Sequence, residues 1–267
     1  MVAAVSCWHC VARTPITMVA KAMMTNGHAP ADVSSAERIA DQDWPRITAD
    51  LNAYGAATLG PLLSPSHCEA IAAGYDDDAP FRSRVIMARH GFGRGEYKYW
   101  AYPLPAIVHQ LRTALYPPLA EIANSWRAAL GYEKAFPRDH DAYLKRCHNA
   151  GQLRPTPLLL RYTEGDYNCL HQDLYGDLVF PLQVAVLLSR PGRDFTGGEF
   201  VITEQRPRMQ SRAEVVSLAQ GEAVIFAVNA RPVAGTKGTY RVKLRHGVSR
   251  LRSGVRHTLG IIFHDAA

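Results

Sequence analysis

Between residue 157 and the C-terminus the chain reads as short runs of apolar and β-branched residues separated by Gly and Pro. The clearest run is Tyr240-Arg-Val-Lys-Leu-Arg-His246, in which Tyr240, Val242, Leu244 and His246 share one face and Arg241, Lys243 and Arg245 the other. A period of two with one apolar face predicts a strand packed on a core and wet on its back. After a turn-like Ser253-Gly254, a second run places Arg256, Thr258, Gly260 and Ile262 on one face. Strands are predicted over 157–163, 168–173, 181–189, 198–203, 214–218, 223–228, 240–247 and 255–263. Eight short strands between turn residues match a two-sheet jelly roll.

Upstream the pattern turns helical. Asp43 before Trp44-Pro45 and Ser64 before Pro65 are helix starts, with proline in the first turn. From Pro105 to Leu130 the apolar residues Ile107, Leu111, Leu115, Leu119, Ile122 and Trp126 recur every three or four positions, which predicts an amphipathic helix interrupted at Pro117-Pro118. The expected architecture is therefore α+β. Residues 1–40 form a disordered or extended segment, 41–154 a mainly helical support region, and 155–267 a jelly-roll core that the helices buttress. There is no internal repeat and no low-complexity segment.

Composition narrows the class. With 267 residues and 47% apolar content the chain can bury a substantial core. No apolar run approaches the roughly 20 residues that span a bilayer, so no membrane partner is expected. Five cysteines, at 7, 10, 68, 147 and 169, do not form a disulfide framework, and a reducing cytoplasm is the expected compartment. Cys7 and Cys10 lack a second pair at finger-like spacing, so they are not read as a zinc site. Residues 1–31 contain no acid and are assigned no function; a presequence, a tail or an upstream start before Met23 and Met24 all fit.

The chemistry concentrates in three places. His171 and Asp173 form an H-x-D pair, and in extended chain residues i and i+2 point to the same side. His246 closes the inner row of its strand. Two imidazoles and one carboxylate leave open positions on an octahedral Fe(II), so His171, Asp173 and His246 are the candidate catalytic metal ligands. Arg256, ten residues beyond His246, is a lone guanidinium on an inner face and requires an anion. Its planar fork suits a carboxylate. The set suggests an iron dioxygenase that uses O2 and 2-oxoglutarate, with two metal positions for the 2-oxo acid end, Arg256 for the far carboxylate, and Thr258 adding a hydroxyl.

The stretches LLLRYTEGDYNCLHQDLYGDLVFPLQV, DFTGGEFVITEQRPRMQSR and RHGVSRLRSGVRHTLGIIFHDA resemble a bacterial family of 2-oxoglutarate- and Fe(II)-dependent oxygenases described as acting on damaged DNA. FRSRVIMARHGFGRGEYKYWAYPLP and CHNAGQLRPTPLLL extend the similarity upstream, so it covers roughly residues 45 to 267. The resemblance implies a double-stranded β-helix (jelly-roll) core, iron at His171, Asp173 and His246, and 2-oxoglutarate held by Arg256. The spacing from His246 to Arg256, the lead-in R-Y-x-x-G-D-Y-x-x-x-H-x-D and the G-G-E-F strand resemble prolyl-hydroxylase-type oxygenases at least as much as alkylated-DNA repair oxygenases. That likeness implies a place for Tyr162 near 2-oxoglutarate, against the alternative of a core aromatic.

Charge bears on the substrate. The net charge is +6, and residues 190–256 hold 13 Lys and Arg against 5 Asp and Glu, which suits a phosphate backbone. Arg82, Arg84, Arg89, Arg94 and Lys98 alternate with Phe92, Tyr97, Tyr99 and Trp100, which suits a single strand or a flipped base, or else a loop whose aromatics cap the core. Arg206, Arg208 and Arg212 form a second basic run with the same two readings. Three functions are carried forward. The first is a dioxygenase that demethylates alkylated DNA or RNA. The second is a hydroxylase of a protein side chain or small molecule, and the third a jelly-roll metal-binding sensor without turnover.

Overall fold

The computed structural model describes residues 33–174, 176–236 and 238–267; Cys7, Cys10 and most of the segment expected to be disordered or extended lie outside the described residues. The end of that segment is ordered. Ser34 accepts from the Glu37 amide while the Glu37 carboxylate accepts from the Ser34 amide, a capping box that starts helix α1 (Ser35–Ala40). Helix α2 (Trp44–Tyr54) starts at an Asp43 cap and stops at Gly55, and α3 (Pro65–Ala73) starts at a Ser64 cap. Both starts fall where the sequence places them.

The region expected to be helical also supplies strands: β1 (Ala56–Leu59), β2 (Phe81–Ile86), β3 (Gly93–Arg94) and β4 (Glu96–Trp100). Two further helices follow, α4 (Ala106–Ala129) and α5 (His140–Asn149). Helix α4 runs through Pro117 and Pro118 without the expected interruption. A proline inside a helix costs about 3 kcal/mol, but α4 buries Leu111, Leu115, Leu119, Ile122 and Trp126 in the main core. Burying five such side chains contributes roughly 1.5 to 3 kcal/mol each, which outweighs both prolines.

The C-terminal half contains β5 (Leu158–Thr163), β6 (Tyr167–His171), β7 (Leu182–Leu187), β8 (Phe195–Gly197), β9 (Phe200–Gln205), β10 (Arg212–Val216), β11 (Ala223–Ala227), β12 (Ala230–Gly235), β13 (Gly238–Val248) and β14 (Leu251–Ile261). The major sheet has the order β1-β11-β7-β14-β5-β4-β2, with β8 on β14; the minor sheet has the order β10-β9-β13-β6-β3, with β12 on β13. All eight expected strands are present. β8 is only three residues long, and Pro232 hid β12, a hairpin partner of β13 in which Pro232 faces Arg241. The turn expected at Ser253-Gly254 is instead an irregularity inside β14. Gly254 has φ 79°, and a Cβ there would lie 2.0 Å from the Asp194 carbonyl oxygen, so only glycine lets β14 pass that backbone.

The C-terminal end of the major sheet is held by buried polar contacts. Arg112 on α4 donates to the carbonyls of Ile262 and His264 and to the Asp265 carboxylate at 2.7 Å. Nearby His140 and His264 are buried, and burial lowers each imidazole's pKa to about 4. Because the folded-state value lies below the ordinary value of about 6.5, the unfolded chain binds more protons between those limits. Stability is therefore full above pH 6.5 and falls as pH drops towards 4. The expected loss across that window is at least about 2 kcal/mol, read from urea unfolding at each pH. His264→Gln should flatten the dependence, and an equally steep profile in that variant would refute the assignment. No helix among the described residues is long and apolar enough to cross a membrane.

Candidate active site

β6 and β13 pair in the minor sheet so that His171 and His246 are direct cross-strand neighbours. Cross-strand partners stand on one face with Cβ atoms about 5 Å apart, and here the two ring centroids are 4.3 Å apart. Strand pairing alone thus joins two residues distant in sequence. β6 ends at His171, so Asp173 does not continue an extended i, i+2 pair as the sequence suggests. The chain turns, and the Asp173 carboxylate lies 3.3 Å from His171 Nε2 and 3.4 Å from His246 Nε2. Gln172 pins this turn by donating from Nε2 to the Asn229 and Leu244 carbonyls and to Asn229 Oδ1. The three donor atoms lie within 4.8 Å of one another.

Hydrogen bonding and burial set the state of each ligand. His171 Nδ1 lies 2.7 Å from the Cys169 carbonyl, so its proton points there and Nε2 is left as the donor atom. His246 packs against the rings of Phe226 at 4.4 Å and Phe200 at 6.0 Å. Burial lowers the His246 pKa. Burial works the same way on His171, but hydrogen bonding to Asp173 and its charge win and raise that imidazole. For Asp173 burial acts upward, and the two imidazoles overcome it and hold the carboxyl far below the ordinary range. An anionic oxygen between two ring nitrogens is a donor set that fits Fe(II) while leaving coordination positions open.

These groups open onto a cavity of about 280 Å³ between the two sheets. Arg256, Thr258 and Tyr162 line it as well. Arg256 is only 4% exposed, and its guanidinium lies between the rings of Tyr162 at 5.8 Å and Phe195 at 5.9 Å. Nη1 donates to Thr258 Oγ1 at 2.6 Å, Nε has no partner, and no carboxylate among the described residues lies within ion-pair distance. Burial lowers its pKa and outweighs the opposing influence of Tyr162 and Glu199. An unpaired buried guanidinium at the wall of a cavity is the feature that a dicarboxylate co-substrate would complete. The Tyr162 hydroxyl is buried, with the Asn168 side chain as its polar neighbour.

Sequence reasoning missed two polar wall residues, Asn168 on β6 and Gln183 on β7. The signal for Gln183 was a single amide within the apolar run 181–189. The basic, aromatic segment 82–100 divides on folding. Arg82 donates to the Pro155 carbonyl and lies over Tyr99, Arg84 pairs with Glu96, and buried Lys98 pairs with Asp78 at 2.6 Å. Arg89, His90, Phe92 and Arg94 remain exposed, with Phe92 stacked on His90 at 5.3 Å and lining the cavity. In the second basic run Arg206 and Arg212 converge on Glu204, which also pairs with buried Arg231.

The model of a family described as oxygenases catalysing oxidative methylation of damaged DNA matches residues 95–266. The chain is 51% identical over 165 residues to an uncharacterized protein of Mycobacterium tuberculosis, Rv2227 in strain H37Rv and MT2286 in strain CDC 1551, a match covering 62% of this chain and 71% of the relative. A Pseudomonas putida prolyl-4-hydroxylase superposes with a TM-score of 0.50 at 14% identity, covering 83% of this chain and 98% of that one. A 2OG-Fe(II) oxygenase family oxidoreductase from Burkholderia pseudomallei gives 0.49 at 16% identity, over 84% and 92% of the two chains. The prolyl-4-hydroxylase likeness shows a shared fold, the double-stranded β-helix.

Proposed function

Since the chain belongs to the oxygenase family described as catalysing oxidative methylation of damaged DNA, we propose that it is an Fe(II)- and 2-oxoglutarate-dependent dioxygenase that removes methyl groups from alkylated nucleic acid. One observation carries the reading: the His171, Asp173 and His246 cluster and the unpaired Arg256 open onto the same cavity. When bound, iron and 2-oxoglutarate supply oxidation by O2, one oxygen atom leaving in succinate with release of CO2 and the other inserted into a substrate C–H, which on an N-methyl carbon gives a hemiaminal that loses formaldehyde.

The chain's own residues position and exclude. His171 and His246 offer Nε2, and Asp173 offers its charge. Arg256 and Thr258 take the far carboxylate, with Tyr162 beside them. The walls formed by Phe200, Phe226, Leu158 and Leu160 keep water from the reacting atoms. Phe92 lines the cavity and its ring suits a base face, while the exposed Arg89 and Arg94 flanking it in sequence suit phosphates, Arg94 also lying 3.7 Å from Asp166. Phe92→Ala is expected to weaken binding of methylated single-stranded DNA by about fivefold to a hundredfold, the range of one base–aromatic stack. Fluorescence anisotropy at fixed salt reads this, and unchanged binding would remove Phe92 from the substrate site.

Exposed Leu170 and Leu174 near the triad, together with the cations that segment 82–98 uses internally, favour a second reading in which a protein side chain or small molecule is hydroxylated. The deciding experiment loads the protein with Fe(II) and compares methylated DNA, unmodified DNA and no substrate. Formaldehyde with methylated DNA alone supports demethylation. Equal succinate in all three, without formaldehyde, sends the substrate search to proteins and metabolites.

A further inference from the structure

Gln183 lies on β7, a central strand of the major sheet, and is paired with Phe226 of β11. Phe226 packs on His246, so this pair stands at the end of the cavity nearest the metal triad. The register of β14 on β7, with Thr258 opposite Leu187 and Ile261 opposite Val184, places Arg256 beyond one end of that contact and Gln183 beyond the other. The two therefore occupy opposite ends of the cavity floor.

Gln183 is 4% exposed, lines the cavity, and its Nε2 has no hydrogen-bond partner among the described residues. A buried amide donor without an acceptor is destabilising, and one that points into a cavity is satisfied when a water, an ion or a ligand there supplies the acceptor. Apolar Val184, Ala185 and Ile262 line the same floor and accept nothing. Building on the co-substrate reading above, we propose that Gln183 is a positioning residue for 2-oxoglutarate, donating from Nε2 to the carboxylate beside the 2-oxo group while Arg256 takes the far carboxylate. A carboxylate that gives one oxygen to a cation keeps its second oxygen free to accept such a bond. Arg256, at the far end, serves only the other carboxylate.

The test uses Mn(II)-loaded protein and titration calorimetry, with no turnover involved. Succinate carries the far carboxylate and lacks the 2-oxo acid end, so it separates the two contacts. In Gln183→Met, of similar length and without a donor, the Kd for 2-oxoglutarate is expected to rise about tenfold to a hundredfold. Succinate binding should stay within about twofold of the unaltered protein. The melting temperature of the metal-free variant should hold or rise, since an orphaned amide has been removed; a merely structural glutamine would lower it and leave 2-oxoglutarate binding alone. Gln183→Leu serves if the methionine variant fails to fold. An unchanged Kd for 2-oxoglutarate, or equal weakening of both ligands, overturns the proposal. Absence of 2-oxoglutarate binding by the unaltered protein overturns the co-substrate reading itself, and this inference with it.

Discussion

Asp173→Ala is expected to abolish succinate formation and to lower Fe(II) affinity by more than about a hundredfold, since altering even the groups that orient metal ligands costs ten- to a hundredfold. Asp173 is the one anion of the cluster, buried and within 3.4 Å of both imidazoles. Without it, two neutral nitrogens remain at a site whose surroundings include Phe200 and Phe226, a weak place for a dication. Asp173→Asn keeps the shape and removes the charge, so it should also lose most of the affinity. A loss confined to alanine would mean that the carboxylate acts by packing. His171→Ala should likewise abolish turnover, because it removes the nitrogen whose orientation the Cys169 carbonyl sets. Metal titration followed by succinate assay measures both effects, and retained turnover in a metal-stripped variant would sink the iron assignment.

How much of this was readable in advance depends on whether the determinant is local. The alternation of 240–246 placed His246 on an inner face, and the structure puts it opposite His171. The caps at Asp43 and Ser64 are sequence-local and were read correctly, and the same logic applied to Ser34 and Glu37 would have found α1. What escaped depends on tertiary partners. The turn that brings Asp173 back onto the triad is set by Gln172 reaching Asn229 and Leu244, more than 50 residues away. Cations 82–98 look like a nucleic-acid surface until β2 and β4 pair and bring Arg84 to Glu96, while Lys98 reaches Asp78. The two prolines of α4 break a helix by local rules, yet the buried face of α4 overrides them.

Arg256→Leu is expected to raise the 2-oxoglutarate requirement by about a hundredfold or more, because truncating one partner of a buried charge pair costs about 2 to 5 kcal/mol. The turnover number at saturating co-substrate should change far less, since Arg256 offers no ligand atom to the metal cluster. The stability effect runs the other way. In the protein alone the guanidinium is buried, has an unpartnered Nε and has no carboxylate within ion-pair distance among the described residues, the Glu199 charge acting on it only from farther off. Exchanging such a charge for an apolar side chain is often neutral or stabilising, so the leucine variant should melt no lower than the unaltered protein. Arg256→Lys keeps the charge and loses the planar fork, so its 2-oxoglutarate KM should fall between the two. It should also lose the hydrogen bond from Nη1 to Thr258. Unlike a change at Gln183, the leucine variant should weaken succinate along with 2-oxoglutarate, since both carry the far carboxylate. An unchanged KM in Arg256→Leu would refute the carboxylate role and leave the orphaned guanidinium to be explained by another anion.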